Sequence, residues 1–309
     1  MGPIPVIKLQ DILMELRKPC EVTMNFSFEA DLDLKANKEF YLVVEEAKIF
    51  NITVNGTPIS YNEEAGYWKD KTFKKVDIKP TVINGRNEVT LHTTFRQSQK
   101  VYEVLYGENV YETEKNKITY EVELESIYLL GDFGIVSKTP FRNVERDAMF
   151  SDGPFLVVDK PVAFYGNEFT KQGLLFFAED MVISQNIEIT DKNKKYLLDF
   201  GKQNAPLIKI FVNGYQVKAS LWAPYTADIS DYVKEGINEI KLWIYASNRN
   251  LLGPHHHIDG ECYNVGPDSF TGKWSWVERK SEADATDIAD RTKNYWTDSY
   301  SFVKFGLKE

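Results

Sequence analysis

Three of the four histidines stand in one run, His255-His256-His257, with Asp259 and Glu261 close behind, and this is the only cluster of metal-ligating side chains in the sequence. Three consecutive histidines on an extended strand cannot converge on one ion. A loop after Gly253-Pro254 could turn two of them inward, with Asp259 or Glu261 completing the set. The spacing matches no metal motif such as H-E-x-x-H, so the competing expectation is imidazoles bonded to backbone in an ordered loop. A two-carboxylate glycosidase needs an acid and a base or nucleophile roughly 5 to 9.5 Å apart. Glu123, Glu125, Asp132, Glu168, Glu261 and Asp268 could supply them, but Glu121, Glu123 and Glu125 share one strand face and read as a solvated row of like charges. There is no G-x-S-x-G, no glycine-rich phosphate loop and no convincing nucleophile at Cys262.

Aromatic side chains offer a different chemistry. A pyranose ring presents an apolar C–H face that stacks on Trp or Tyr, while its hydroxyls seek amide and carboxylate partners. Tyr67 with Trp68, Trp222 with Tyr225, Trp274 with Trp276, and Trp296 with Tyr295 lie in loop-like stretches. The first three pairs, together with His255 and His256, form the candidate sugar-contacting set. Trp243 falls inside a strand and reads as a core or inter-sheet aromatic. Trp222 and Tyr225 come first because they sit between a Val-Asn-Gly turn and an Asp-Ile element, and Tyr67 and Trp68 occupy the matching interval earlier in the chain. An inherited ligand loop and an inherited packing corner both fit that shared place.

Elements must position these side chains, and 309 residues leave room for two modest domains, but not for a barrel of about 250 residues plus an accessory module. With 37 basic and 46 acidic residues the net charge is −9, which makes nucleic acid and anionic membrane poor partners. An apolar content of 43% is enough for a sizeable core. Cys20 and Cys262 read as two unrelated buried residues rather than a disulfide framework, and no stretch is apolar enough to span a membrane. Met1-Gly2-Pro3 running at once into Ile4-Pro5-Val6 reads as an artificial boundary, with the expectation of a piece of something longer.

Leu9, Ile12, Leu13 and Leu16 form a helical stripe ended by Pro19. From Val22 the period changes to alternation, and strands are predicted at 22–34, 41–44, 49–54, 89–95, 118–130, 185–189, 196–200, 207–212 and 240–245. Asn55-Gly56, Asn84-Gly85 and Asn213-Gly214 supply turn chemistry between them. An internal repeat fixes the organisation. The stretch 50–56, ending Val54-Asn55-Gly56, returns as 208–214, ending Val212-Asn213-Gly214. Asp77-Ile78 and Gly85-Arg86-Asn87-Glu88 return in the same order as Asp228-Ile229 and Gly236-Ile237-Asn238-Glu239.

Three longer strings carry a family resemblance. Glu125-Ser126-Ile127-Tyr128-Leu129-Leu130-Gly131-Asp132-Phe133-Gly134, Asn250-Leu251-Leu252-Gly253-Pro254-His255-His256 and Val265-Gly266-Pro267-Asp268-Ser269-Phe270 resemble the sandwich domains that follow the catalytic barrel in bacterial α-L-rhamnosidase-like glycoside hydrolases. The repeated Val-Asn-Gly and Gly-x-Asn-Glu elements are similar to the galactose-binding-like sandwich of the glycoside hydrolase family 2 type sugar-binding domain. Strand periodicity and the repeat make this an all-β chain of two tandem antiparallel sandwiches, 1–150 with a short N-terminal helix and 151–309, divided where turn residues cluster at Ser151-Asp152-Gly153-Pro154, and the resemblance implies the jelly-roll form for each. It implies a non-catalytic region that binds an oligosaccharide or polysaccharide beside an N-terminal catalytic domain whose barrel and carboxylates lie outside this chain. It also implies a structural Ca²⁺, for which Gly166-Asn167-Glu168 is the candidate here. Bracing of a catalytic barrel and a hydrolase or lyase site between the sandwiches are the alternatives.

Overall fold

The N-terminal apolar stripe folds as helix α1 (Val6–Leu16), which buries Leu13 and Met14 and ends at Arg17 in the left-handed region. Leu16 stays 46% exposed, because the buried stripe runs through Val6, Leu9, Leu13 and Met14. The computed structural model describes residues 5–36, 39–144, 146, 148–166, 168–262, 265, 269–270 and 296–308. The chain divides into two units, Met1–Phe133 with Leu156–Asp159, and Gly134–Phe155 with Lys160–Glu309. Among the described residues no helix is long and apolar enough to cross a membrane.

After α1 the first unit runs through β1 (Cys20–Asp31), β2 (Phe40–Glu45), β3 (Asn51–Val54), β4 (Thr57–Ile59), β5 (Tyr67–Trp68), β6 (Asp70–Asp77) and β7 (Gly85–Phe95). Helices α2 (Gln99–Tyr106) and α3 (Glu112–Lys115) precede β8 (Tyr128–Gly131). Strands β9 (Phe133–Ser137), β10 (Arg142–Asn143) and β11 (Ala148–Ser151) follow, all but Phe133 in the second unit, and β12 (Phe155–Asp159) lies parallel to β1 in a sheet whose first-unit strands, otherwise antiparallel, are ordered β4-β3-β7-β1-β12. A second sheet is ordered β5-β6-β2-β8. Val22, Met24, Val89 and Leu91 from the first sheet and Phe40, Leu42, Val44 and Val76 from the second bury one shared core.

The second unit continues through β13 (Asp180–Ile189), β14 (Leu197–Asp199), β15 (Lys202–Asn204), β16 (Leu207–Val212), β17 (Tyr215–Ser220), β18 (Thr226–Asp228), β19 (Gly236–Tyr245), α4 (Arg249–Leu252), β20 (Tyr300–Val303) and β21 (Gly306–Lys308). Its main sheet is ordered β17-β16-β19-β13, the same order as β4-β3-β7-β1, and β14 pairs with β18 as β2 pairs with β6. Ile189, Ile208, Ile210, Ile240 and Ile244 form its core with Phe169 and Phe305. The chain is all-β with a short N-terminal helix.

The repeated sequence elements are one hydrogen-bond network built twice. Asn55-Gly56 and Asn213-Gly214 carry positive φ at both positions, the backbone that a two-residue hairpin turn demands. Asn55 Nδ2 donates to Asn87 Oδ1 and Thr81 O, and Asn213 Nδ2 donates to Asn238 Oδ1 and Tyr232 O. Each fully buried partner then closes its own corner: Asn87 bonds Ile83 and Gly85, and Asn238 bonds Lys234 and Gly236. In the Asp-Ile elements the isoleucines are buried, while Asp77 and Asp228 stay exposed and accept from the backbone two residues on.

Two expectations are corrected. Of the strand predicted over 118–130, only β8 forms. Val122 and Leu124 are buried as the alternation requires, but the backbone is satisfied by glutamine side chains: Glu121 N donates to Gln97 Oε1 and Leu124 N to Gln10 Oε1 at 2.6 Å. Cys20 and Cys262 are free thiols, half-buried rather than buried.

Candidate functional site

In β2, Phe40, Leu42 and Val44 face the core, so Tyr41, Val43 and Glu45 face outward. Val43 is nevertheless fully buried on that outward side. Its cross-strand partners are Tyr128 on β8 and Lys75 on β6, and Glu45 is opposite Phe73. The Phe73 and Tyr128 rings meet edge to face across β2 at 6.1 Å, and Trp68 tilts against Tyr128 at 6.0 Å. Lys75 Nζ stands 4.6 Å over the Tyr41 ring, and Lys69 Nζ 5.2 Å over Trp68. The outer face of this sheet is thus a layer of half-buried aromatic rings, with Tyr67 at its margin 51% exposed.

Carboxylates border the layer. Burial, and then the charges of Glu125, Glu123 and Asp70, push the Glu45 carboxyl above its ordinary range. Partial desolvation, reinforced by Glu123, does the same to Glu125. Tyr128 keeps its phenolic proton to higher pH because burial and the Glu125 and Glu45 charges oppose the phenolate. Asp70 moves the other way, held ionised by the Thr72 N–H and hydroxyl at 2.8 Å each. This face offers apolar ring surface, carboxylate acceptors, a phenolic donor and two lysine ammonium groups.

Sequence reading found Tyr67 and Trp68 but placed them in a loop, whereas they form β5 at the sheet's edge. It missed Tyr41, Glu45, Phe73 and Tyr128. The available signal was strand parity, which the run Phe40–Val44 conceals because Val43 is buried on the outer side as well.

In the second unit Trp222 is 73% exposed and Leu221 50%, on the loop between β17 and β18. Lys218 braces that loop by donating to Pro224 O at 2.9 Å and Thr226 O at 2.7 Å. Tyr225 is no surface companion of Trp222, since it packs on the unit's core and its carbonyl accepts from Phe200 N. Trp274 and Trp276 lie outside the described residues.

The histidine run is built into packing. His255 sits among Phe176, Tyr300 and Phe302 with its ring nitrogens at 3.3 Å from Leu251 O and Ser301 O, and burial lowers it to about 4. His256 stacks on Trp296 at 4.4 Å, with Nδ1 3.1 Å from Thr297 O. Glu261 is engaged by Arg249 Nε at 2.6 Å, and the Asp259 carboxylate lies 3.8 Å from His257 Nδ1. Among the described residues no group of three or more His, Cys, Asp or Glu side chains is gathered as a metal site. Of the Ca²⁺ candidate, Asn167 lies outside the described residues and Glu168 accepts from Lys171 N.

No family model matches the chain, and no curated protein sequence matches it. Among solved structures, a rhamnosidase from Novosphingobium sp. PP1Y aligns over 96% of this chain and 26% of its own, at 16% identity and a TM-score of 0.25. An alpha-L-rhamnosidase from Streptomyces avermitilis, complexed with L-rhamnose, aligns over 74% of this chain and 22% of its own, at 11% identity and 0.23. A beta-glucuronidase from glycoside hydrolase family 2 aligns over 73% and 20%, at 11% identity and 0.22. The chain spans about a quarter or less of the length of each. Likeness at these scores assigns the chain to no family.

Proposed function

We propose that this chain is a non-catalytic carbohydrate-binding region accessory to a glycoside hydrolase, with the outer face of the β5-β6-β2-β8 sheet as its contact surface. The observation that carries this is the ring layer of Tyr41, Trp68, Phe73 and Tyr128 beside Glu45 and Glu125. Ring faces suit the C–H side of a pyranose, and partly desolvated carboxylates gain most from hydroxyl donors. A second reading, bracing of an adjoining catalytic domain, is favoured by Leu221 and Trp222, which form an exposed apolar tip on a braced loop.

A glycan array of the purified chain, with reducing-sugar release assayed on every hit, tests these. Binding without release is expected, and Trp68→Ala should weaken the best neutral-glycan hit about tenfold, the effect of losing ~1.5 kcal/mol of ring contact. Trp222→Ala should leave retention unchanged. Unchanged retention of neutral glycans in Trp68→Ala, or release of sugar, overturns the proposal.

A further inference from the structure

The main sheet of the second unit carries side chains on its outer face that its first-unit counterpart lacks. Val54 pairs with Val89 as Val212 pairs with Ile240, which aligns the two sheets residue by residue. In that alignment Thr23, Asn51 and His92 of the first unit correspond to Val182, Lys209 and Trp243 of the second. Ile240, Leu242 and Ile244 point into the core, so Lys241, Trp243 and Tyr245 face outward, and the expectation of a core position for Trp243 fails on strand parity.

Trp243 and Tyr245 stack at 5.6 Å and 15° along β19. On the β13 side Trp243 Nε1 donates to Asp180 Oδ2. On the β16 side Lys209 Nζ lies 5.2 and 5.1 Å from the two ring centroids and donates to the Tyr245 hydroxyl at 3.1 Å. Lys241, on the same face, is paired with Glu239 at 3.4 Å, whereas Lys209 has no carboxylate at ion-pair distance among the described residues. An ammonium has three N–H donors, and the bond to Tyr245 leaves two. A cation positioned by rings, with no carboxylate at ion-pair distance, suits a ligand that has an apolar face and an acidic group together.

We propose that this face binds a uronic-acid-bearing glycan. The pyranose C–H surface lies on Trp243 and Tyr245, its carboxylate meets Lys209, and Asp180 accepts a hydroxyl. The inference rests on the carbohydrate reading above but concerns a separate surface. Titration calorimetry of the whole chain with a short oligogalacturonate and a neutral oligogalactan tests it. The oligogalacturonate should bind, and Lys209→Met, which keeps the apolar stem, should weaken it about tenfold or more, as loss of one charged hydrogen bond does. Trp68→Ala should leave that binding intact, and Lys209→Met should leave any oligogalactan affinity unchanged. No oligogalacturonate binding to the unaltered chain, or no effect of Lys209→Met, overturns the inference. Loss in Trp68→Ala alone would place the acidic sugar on the first unit's face, overturning the inference while sustaining the earlier reading. Loss in Lys209→Met with every glycan indifferent to Trp68→Ala would do the reverse.

Discussion

Glu45 joins the candidate site to the stability of its unit. Its folded pKa is raised, so the ionised form is the one the fold disfavours, and the neutral form strengthens the fold. The sign follows directly: stability from this group is present below its unfolded pKa and is lost as pH rises through the higher folded value. His255 works in the opposite direction. Its pKa is lowered to about 4, so its contribution is present above the unfolded value near 6.5 and is lost as pH falls toward 4. A melting curve of the unaltered protein therefore mixes the two, and the difference between Glu45→Gln and the unaltered chain separates them. That difference should be positive at pH 7, by less than about 1 kcal/mol for a partly solvated charge. It should vanish on acidification below the ordinary glutamate value of 4.5, where both side chains are neutral. A difference that stays constant from pH 7 to pH 4 would show that neither burial nor the carboxylate cluster disfavours the ionised Glu45.

At the scale of elements, the repeat was legible because its residues are chemically obligatory. An Asn-Gly pair serves a turn with positive φ at both positions, and the buried Asn238 satisfies Lys234 N–H and the Lys234 and Gly236 carbonyls while accepting from Asn213. Asn238→Ala strands those groups, and urea unfolding should show a loss on the order of 3 kcal/mol for several buried bonds removed at once. Asn87→Ala should cost the first unit a similar amount, because its network is the same; a loss below about 0.5 kcal/mol, the scale of an ordinary surface substitution, would remove the corner's structural role. Other elements were illegible for identifiable reasons. Val122 and Leu124 alternate as a strand would, and nothing in that pattern reveals that Gln97 and Gln10 replace the neighbouring strand. The aromatic face was half legible: Trp68 was found by composition, whereas Tyr128 and Phe73 join it only through the pairing of β8 and β6 with β2. Trp243 was misplaced because a tryptophan among Ile240, Leu242 and Ile244 looks like core until strand parity is counted.

Across the whole molecule the net charge of −9 acts on every approaching ligand, whichever surface it will reach. An anionic glycan therefore meets a repulsive far field before it meets Lys209, and salt should act on the two stages differently. Charges farther apart than about 8 Å are largely screened at physiological ionic strength, whereas a direct contact is screened much less. Raising salt should thus speed association of an oligogalacturonate, on the order of two- to threefold over a tenfold rise in salt, because it removes net repulsion. The same salt should speed dissociation more modestly by weakening the Lys209 contact. A neutral oligogalactan provides the control, since its association rate carries no charge term. Surface plasmon resonance on immobilised glycans reads both rates separately. Association that slows with salt would mean that a local positive field, and not the ring surface with a single cation, governs the encounter, and the assignment of Lys209 as the deciding charge would fall with it.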